Sequence, residues 1–217
     1  MMPAASVLRR RIIEMGLLFF ALPIALACFR HHLHHKVMLL VIAGGLIFGT
    51  LLACDRTFDQ RAFLTYAGLG RRLRAVLMLF VPLAAALAAV AWLADGRYFF
   101  LFPRERPWFW LVVMILYPSI GALLQEIIFR GWFFHRYGPL FTRPGSLIAV
   151  NAISFALFHL VYGNVFAPAM SLAGGLLFAW RYAKTGSLWT VAFEHGVWGD
   201  LLFTIGLGRF LFSGAIH

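Results

Sequence analysis

The chain alternates long apolar stretches with short polar ones almost from end to end. Runs near the roughly 20 residues that a helix needs to cross a bilayer lie at 12–29, 37–54, 75–94, 110–137, 146–161, 166–184 and 187–206, with a short apolar tail to Phe212. This pattern predicts an all-α fold, a polytopic membrane helix bundle of about seven transmembrane helices, with eight as the alternative count. Between the second and third runs, residues 55–74 interleave Arg56, Arg61, Arg71, Arg72 and Arg74 with Phe63, Leu64, Tyr66 and Leu69, which predicts an interfacial amphipathic segment. Pro82 and Pro118 fall inside runs and should kink them, as membrane helices tolerate when neighbours satisfy the freed carbonyls.

Composition agrees with the pattern. Of 217 residues, 62% are hydrophobic and 12% charged, well beyond the apolar share of a soluble domain. The net charge of +11 does not point to nucleic acid, because the basic residues are scattered between apolar runs and form no basic face. Counted over alternate loops, 13 of the 19 Lys and Arg fall on the side of the N-terminus and 6 on the other, so the positive-inside rule puts the N-terminus in the cytoplasm. The run from Ile12 to Phe29 is long enough to span and no small-residue cleavage site follows it, so a cleaved signal is not expected. Compact size and the lack of targeting extensions favour a prokaryotic inner membrane. Cys28 and Cys54, at the ends of apolar runs, read as small core residues and not as a disulfide.

Apart from the basic residues at the ends of the fourth and sixth runs, few ionisable residues interrupt the apolar pattern: Glu14, Glu126, Arg130, His159, Glu194, His195 and Asp200. A lone charge there costs several kcal/mol, so each needs a partner or a task. Glu126 and Arg130 are four apart and share one helix face, while Gln125 points roughly a quarter-turn away. Measured from the expected cytoplasmic helix ends, Glu126 lies about 17 Å deep, His159 about 20 Å and His195 about 12 Å. An acid and two imidazoles on three helices can therefore meet, as a proton path, a metal site or a hydrolytic centre. Glu14 is expected to pair with Arg9, Arg10 or Arg11. The His31, His32, His34 and His35 cluster reads as polar loop residues, and Gly44-Gly45 and Gly174-Gly175 as close-packing sites.

The residues Gln125-Glu126-x-x-x-Arg130-Gly131, Phe155-x-x-x-His159, Gly174-Gly175, Thr185-Gly186-Ser187-Leu188-Trp189 and Glu194-His195 resemble the CAAX protease and bacteriocin-processing family. That family includes type II CAAX prenyl endopeptidases and Abi-type intramembrane glutamic proteases. The resemblance covers about 120–205 and implies an intramembrane endopeptidase core over 111–210, preceded at 1–110 by N-terminal helices, in one structural domain. It also implies water activation by Glu126, with Arg130 holding that carboxylate and His159 and His195 orienting water and stabilising the oxyanion. No cofactor is implied. The expected partners are the lipid bilayer and a membrane-tethered protein or peptide, such as a CAAX-like protein or one with a C-terminal sorting or leader segment.

Two positions depart from the pattern. Gln125 stands where the first of two consecutive glutamates is usual, and Gly199 where the third motif has Asn. Asp200, Gln125, Asn151 and Asn164 are the candidates to supply the missing polar group, although Asp200 sits about 140° from His195 on an ideal helix. Glu194 is a candidate for orienting its helix. The competing readings are a zinc-dependent peptidase with Glu126, His159 and His195 as ligands, a catalytically impaired scaffold or immunity factor, and a proton-coupled transporter.

Overall fold

The computed structural model of the chain describes residues 5–33, 36–61 and 68–211. Among the described residues there is no strand, and every expected apolar run is helical. We number the seven long helices α1 (Ala5–Cys28), α2 (Val37–Cys54), α3 (Leu69–Asp95), α4 (Pro107–Leu140), α5 (Pro144–Tyr162), α6 (Phe166–Thr185) and α7 (Leu188–Thr204). The first five are long and apolar enough to cross a membrane. The last two are shorter or more polar, since α6 carries Arg181 and Lys184 and α7 carries Glu194 and Asp200. After α7 comes only a single 3-10 turn, Leu207–Phe210, so no eighth long helix is present among the described residues.

Polarity is inverted relative to a soluble protein. Leu39, Leu46, Met78 and Leu93 are all more than half exposed, while Glu126, Arg130, Asn151 and Thr190 have no exposure at all. Apolar surface outside and paired charge inside is the arrangement a bilayer stabilises. The interior is largely aromatic: Phe19 of α1 meets Phe133 and Tyr137 of α4 edge to face, at 5.0 and 5.7 Å between ring centres. Such edge-to-face pairs contribute about 0.5–1.5 kcal/mol each beyond area burial.

Helix α4 is not a uniform α-helix. It widens into π-helical turns at Tyr117–Ala122 and Ile127–Trp132. The first contains Pro118, which has no N–H to donate and crowds the carbonyl one turn back, so a wider turn relieves the clash. At the second, Asn151 of α5 donates its Nδ2 to the Phe129 carbonyl at 2.7 Å. That is structural work, and it leaves Asn151 outside the cavity that His195 lines.

The Thr185-Gly186-Ser187 segment has a physical role at the joint of α6 and α7. Gly186 takes a left-handed conformation at φ +58° to end α6, as helix C-terminal glycines do. Ser187 then accepts the Thr190 amide at 3.3 Å as the N-cap of α7. Across the same joint, Arg181 forms a two-pronged ion pair with Glu194, at 2.9 and 2.8 Å. Glu194 thus fastens one helix to the next.

Several expectations change. Helix α3 begins at Leu69, after Gly68 at φ +69°, so Arg71, Arg72 and Arg74 belong to its first turns and not to a separate interfacial segment. Arg72 reaches across to Thr190 at 3.1 Å; residues 62–67 of the expected segment, with Phe63, Leu64 and Tyr66, lie outside the described residues. Glu14 pairs with Arg136 at 2.9 and 2.8 Å and with the Tyr137 hydroxyl at 3.0 Å, not with Arg9 to Arg11, because α4 brings a cation to the side of α1. Cys28 and Cys54 are free and exposed, facing outward and not into the core. His31 and His32 lie in a short helical turn, and His34 and His35 lie outside the described residues. In the loop after α2, Asp55 accepts from the Thr57 hydroxyl and meets His135, which hold its carboxyl well below the usual range.

Arg181→Met should lower the unfolding free energy by about 3–5 kcal/mol, because it leaves the Glu194 carboxylate buried and unpaired. Adding Glu194→Leu should recover most of that loss, as read by thermal or denaturant unfolding in detergent.

Candidate active site

The site is built where α4, α5, α6 and α7 meet. Glu126 and Arg130, four residues apart on α4, form the expected pair, with Arg130 Nη1 donating to Glu126 Oε1 at 3.0 Å. The guanidinium also donates to the Gly175 carbonyl at 3.1 Å and lies 4.8 and 5.5 Å from the Phe155 and Phe178 ring centres. Gly175 also lets α6 lie close against α5 beside this cation, since a Cβ there would stand 3.1 Å from the Ala152 backbone. Arg130 is therefore a caged cation whose one full counter-charge among the described residues is Glu126.

Glu126 Oε1 is shared. His195 of α7 places Nδ1 2.7 Å from it. With Glu126 as a carboxylate, Nδ1 carries the proton and donates, which leaves Nε2 as an acceptor. That acceptor lies 3.0 Å from the Tyr117 hydroxyl of α4, so the phenol donates to it. The imidazole stacks on Phe178 with ring centres 4.7 Å apart. The result is a linear chain from carboxylate to imidazole to hydroxyl, the same ordering of roles that activates a hydroxyl or a water in acid-histidine hydrolases. The second carboxylate oxygen, Oε2, is enclosed and finds no hydrogen-bond partner among the described residues.

His195 and Tyr117 face a cavity of about 440 Å³, which His159, Gln125 and Ser171 also line. Glu126 is not part of its wall. The rest of the lining is mostly apolar, including Leu83, Met170 and Leu177, with the Tyr162 phenol and the Trp198 indole among it. His159 sits where α5 tightens into its final 3-10 turn and places Nδ1 2.8 Å from the Phe155 carbonyl. That bond puts the proton on Nδ1 and leaves Nε2 as a free acceptor. Gln125 donates its Nε2 to the Gly121 carbonyl at 3.0 Å.

The other candidates stand apart. Asp200 makes no bond to His195; its Oδ1 is enclosed without a partner among the described residues, and its backbone carbonyl accepts from Thr204. Asn164 braces the α5–α6 turn through the Tyr162 and Phe210 carbonyls and the Ala167 amide. Of the three amides considered for the missing polar group, Gln125 alone lines the cavity. No group of three His, Cys, Asp or Glu among the described residues could hold a metal ion. Both His195 nitrogens are already engaged, and this arrangement gives the zinc reading no support.

The Rce1-like type II CAAX prenyl endopeptidase model matches residues 106–199. This stretch is therefore similar to the CAAX protease family. The Bacillus subtilis (strain 168) protein named "Putative membrane peptidase YdiL" is 34% identical over 84 residues, 38% of this chain and 33% of that protein. The match thus spans about a third of the length of that relative. No solved structure matches the chain.

Within the matched stretch, sequence reasoning missed Tyr117. It lies nine positions before Glu126, which on an ideal helix sets the two about 180° apart, on opposite faces. The π-helical turn at Tyr117–Ala122 absorbs one residue, or about 100° of rotation, and brings both to the side of His195. A phenol beside a proline in an otherwise apolar run was the available signal, since a buried Tyr hydroxyl needs a partner. Gly199 is the counterpart of this placement: a Cβ there would stand 2.7 Å from the Tyr117 hydroxyl oxygen and closer still to its ring.

Glu126→Gln should destabilise the fold by about 3–5 kcal/mol, because Arg130 is left as a buried cation without its anion. Combining it with Arg130→Met should restore most of that stability in detergent unfolding.

Proposed function

We propose that the chain is an intramembrane endopeptidase that cleaves a peptide bond of a membrane-tethered protein or peptide. The observation that carries this reading is the 2.7 Å contact between Glu126 and His195 at the wall of a cavity that also holds His159. Glu126 is sealed from the cavity, so it acts through His195. The carboxylate holds Nδ1–H and stabilises the imidazolium that forms when Nε2 takes a proton from water. His159 Nε2 offers a second acceptor to hold that water. The apolar lining favours substrates with lipid-facing or lipid-modified segments, such as CAAX-like C-termini or sorting and leader segments. By the same reading the protein sits in a prokaryotic plasma membrane with its N-terminus in the cytoplasm, which the Lys and Arg bias supports.

Cleavage of tethered candidate substrates should fall roughly 10²-fold or more in Glu126→Gln, His159→Ala and His195→Ala at matched levels of folded protein. A chelator should leave the wild type unchanged. Equal cleavage by wild type and Glu126→Gln overturns the assignment. One observation favours a second reading, a substrate-binding scaffold without turnover: the cavity-facing position beside Glu126 is the amide Gln125, which cannot act as a base. That reading expects a wild type that binds membrane peptides and cleaves none.

A further inference from the structure

We infer that Tyr117 is the hydrogen-bond donor to the reacting carbonyl, and that Gly199 is present to let it in. The inference rests on the peptidase reading and extends it to a residue of α4 outside the recognised motifs. Three observations carry it. The Tyr117 hydroxyl lies 3.0 Å from His195 Nε2, on the opposite side of the imidazole from Glu126. The phenol lines the cavity, as do His159 and Gly199. At Gly199, any side chain would overlap the Tyr117 ring, and at Gly196, one turn earlier on α7, a Cβ would stand 2.7 Å from Pro118 Cβ. These two glycines let α7 settle against the π-helical turn that aims the phenol.

Without substrate, the hydroxyl donates to Nε2 and covers the base. Substrate and water entering the cavity compete for that contact, and rotation about the Cζ–O bond turns the O–H toward the carbonyl oxygen. The water oxygen then bonds to the carbonyl carbon, the carbonyl π pair moves onto oxygen, and the water proton passes to Nε2. Tyr117 donates to the oxyanion and keeps its own proton. When the tetrahedral species collapses, the C–N bond breaks, the departing nitrogen takes the proton from His195, and a carboxyl and an amine are released. The histidine returns to its starting state.

Tyr117→Phe keeps the ring and removes only the donor. It should lower kcat by about 10²- to 10³-fold, the usual cost of one oxyanion donor, with KM within a few-fold of wild type. Gly199→Asn should be equally impaired because its side chain displaces the ring. The Tyr117→Ala, Gly199→Asn double variant should regain at least tenfold over either single one, since position 199 is four residues from His195 and shares its helix face. In detergent unfolding, Gly199→Ala should lower the midpoint in the wild-type background but not alongside Tyr117→Ala. A wild type that cleaves, with Tyr117→Phe at equal kcat, overturns this inference and leaves the peptidase reading standing. A wild type that cleaves nothing overturns both. A drop in Tyr117→Phe confined to KM makes the phenol a binding residue and also overturns the inference.

Discussion

One buried carboxylate organises the C-terminal half of the molecule. Moving an ion into a low-dielectric interior costs several kcal/mol even after relaxation, and Glu126 has no exposure at all. Its charge is tolerable because Arg130 and His195 both donate to the same oxygen. Arg130 in turn has its own carbonyl partner on α6 and aromatic faces from α5 and α6. Four helices are therefore fixed relative to one another by the need to satisfy one ion pair. A bundle held only by apolar contacts in lipid would lack that specificity, since lipid tails compete equally for apolar surface.

Close helix approach is the second requirement, and glycine supplies it where the charges are. Gly175 brings α6 onto α5 next to the Arg130 cage, and Gly196 and Gly199 bring α7 onto the wide turn of α4. The second ion pair, Arg181 with Glu194, closes the α6–α7 joint through the residue that precedes His195. The histidine is thus flanked by a fastened joint on one side and by a close glycine contact on the other. Its ring orientation is fixed by packing on Phe178 as well as by hydrogen bonds.

Much of this is legible in the residues. Seven apolar runs correspond to seven helices, the four-residue spacing of Glu126 and Arg130 to their pair, and depth along the helices brings His195 to the carboxylate. Spacing reports direction around one helix; it does not report which of two neighbouring residues faces an opening between helices. That is why the cavity is lined by Gln125 and not by Glu126. Pairings between distant segments, Glu14 with Arg136 and Glu194 with Arg181, are likewise hidden. Arg181 counts among the loop cations by sequence because it lies near a basic helix end. Tyr117 is hidden for another reason, since its facing direction depends on a local change of helical pitch.

That change of pitch bears on how such sites are found. The turn at Tyr117–Ala122 behaves as a single inserted residue that the helix has absorbed without rotating the residues beyond it. A homologous helix of uniform pitch would present a tyrosine and a glutamate in the same relative orientation at positions eight apart instead of nine. Pattern searches with fixed spacing would treat the two as unrelated. An alignment that permits a one-residue gap inside this helix, where gaps are ordinarily penalised most, would bring them into register.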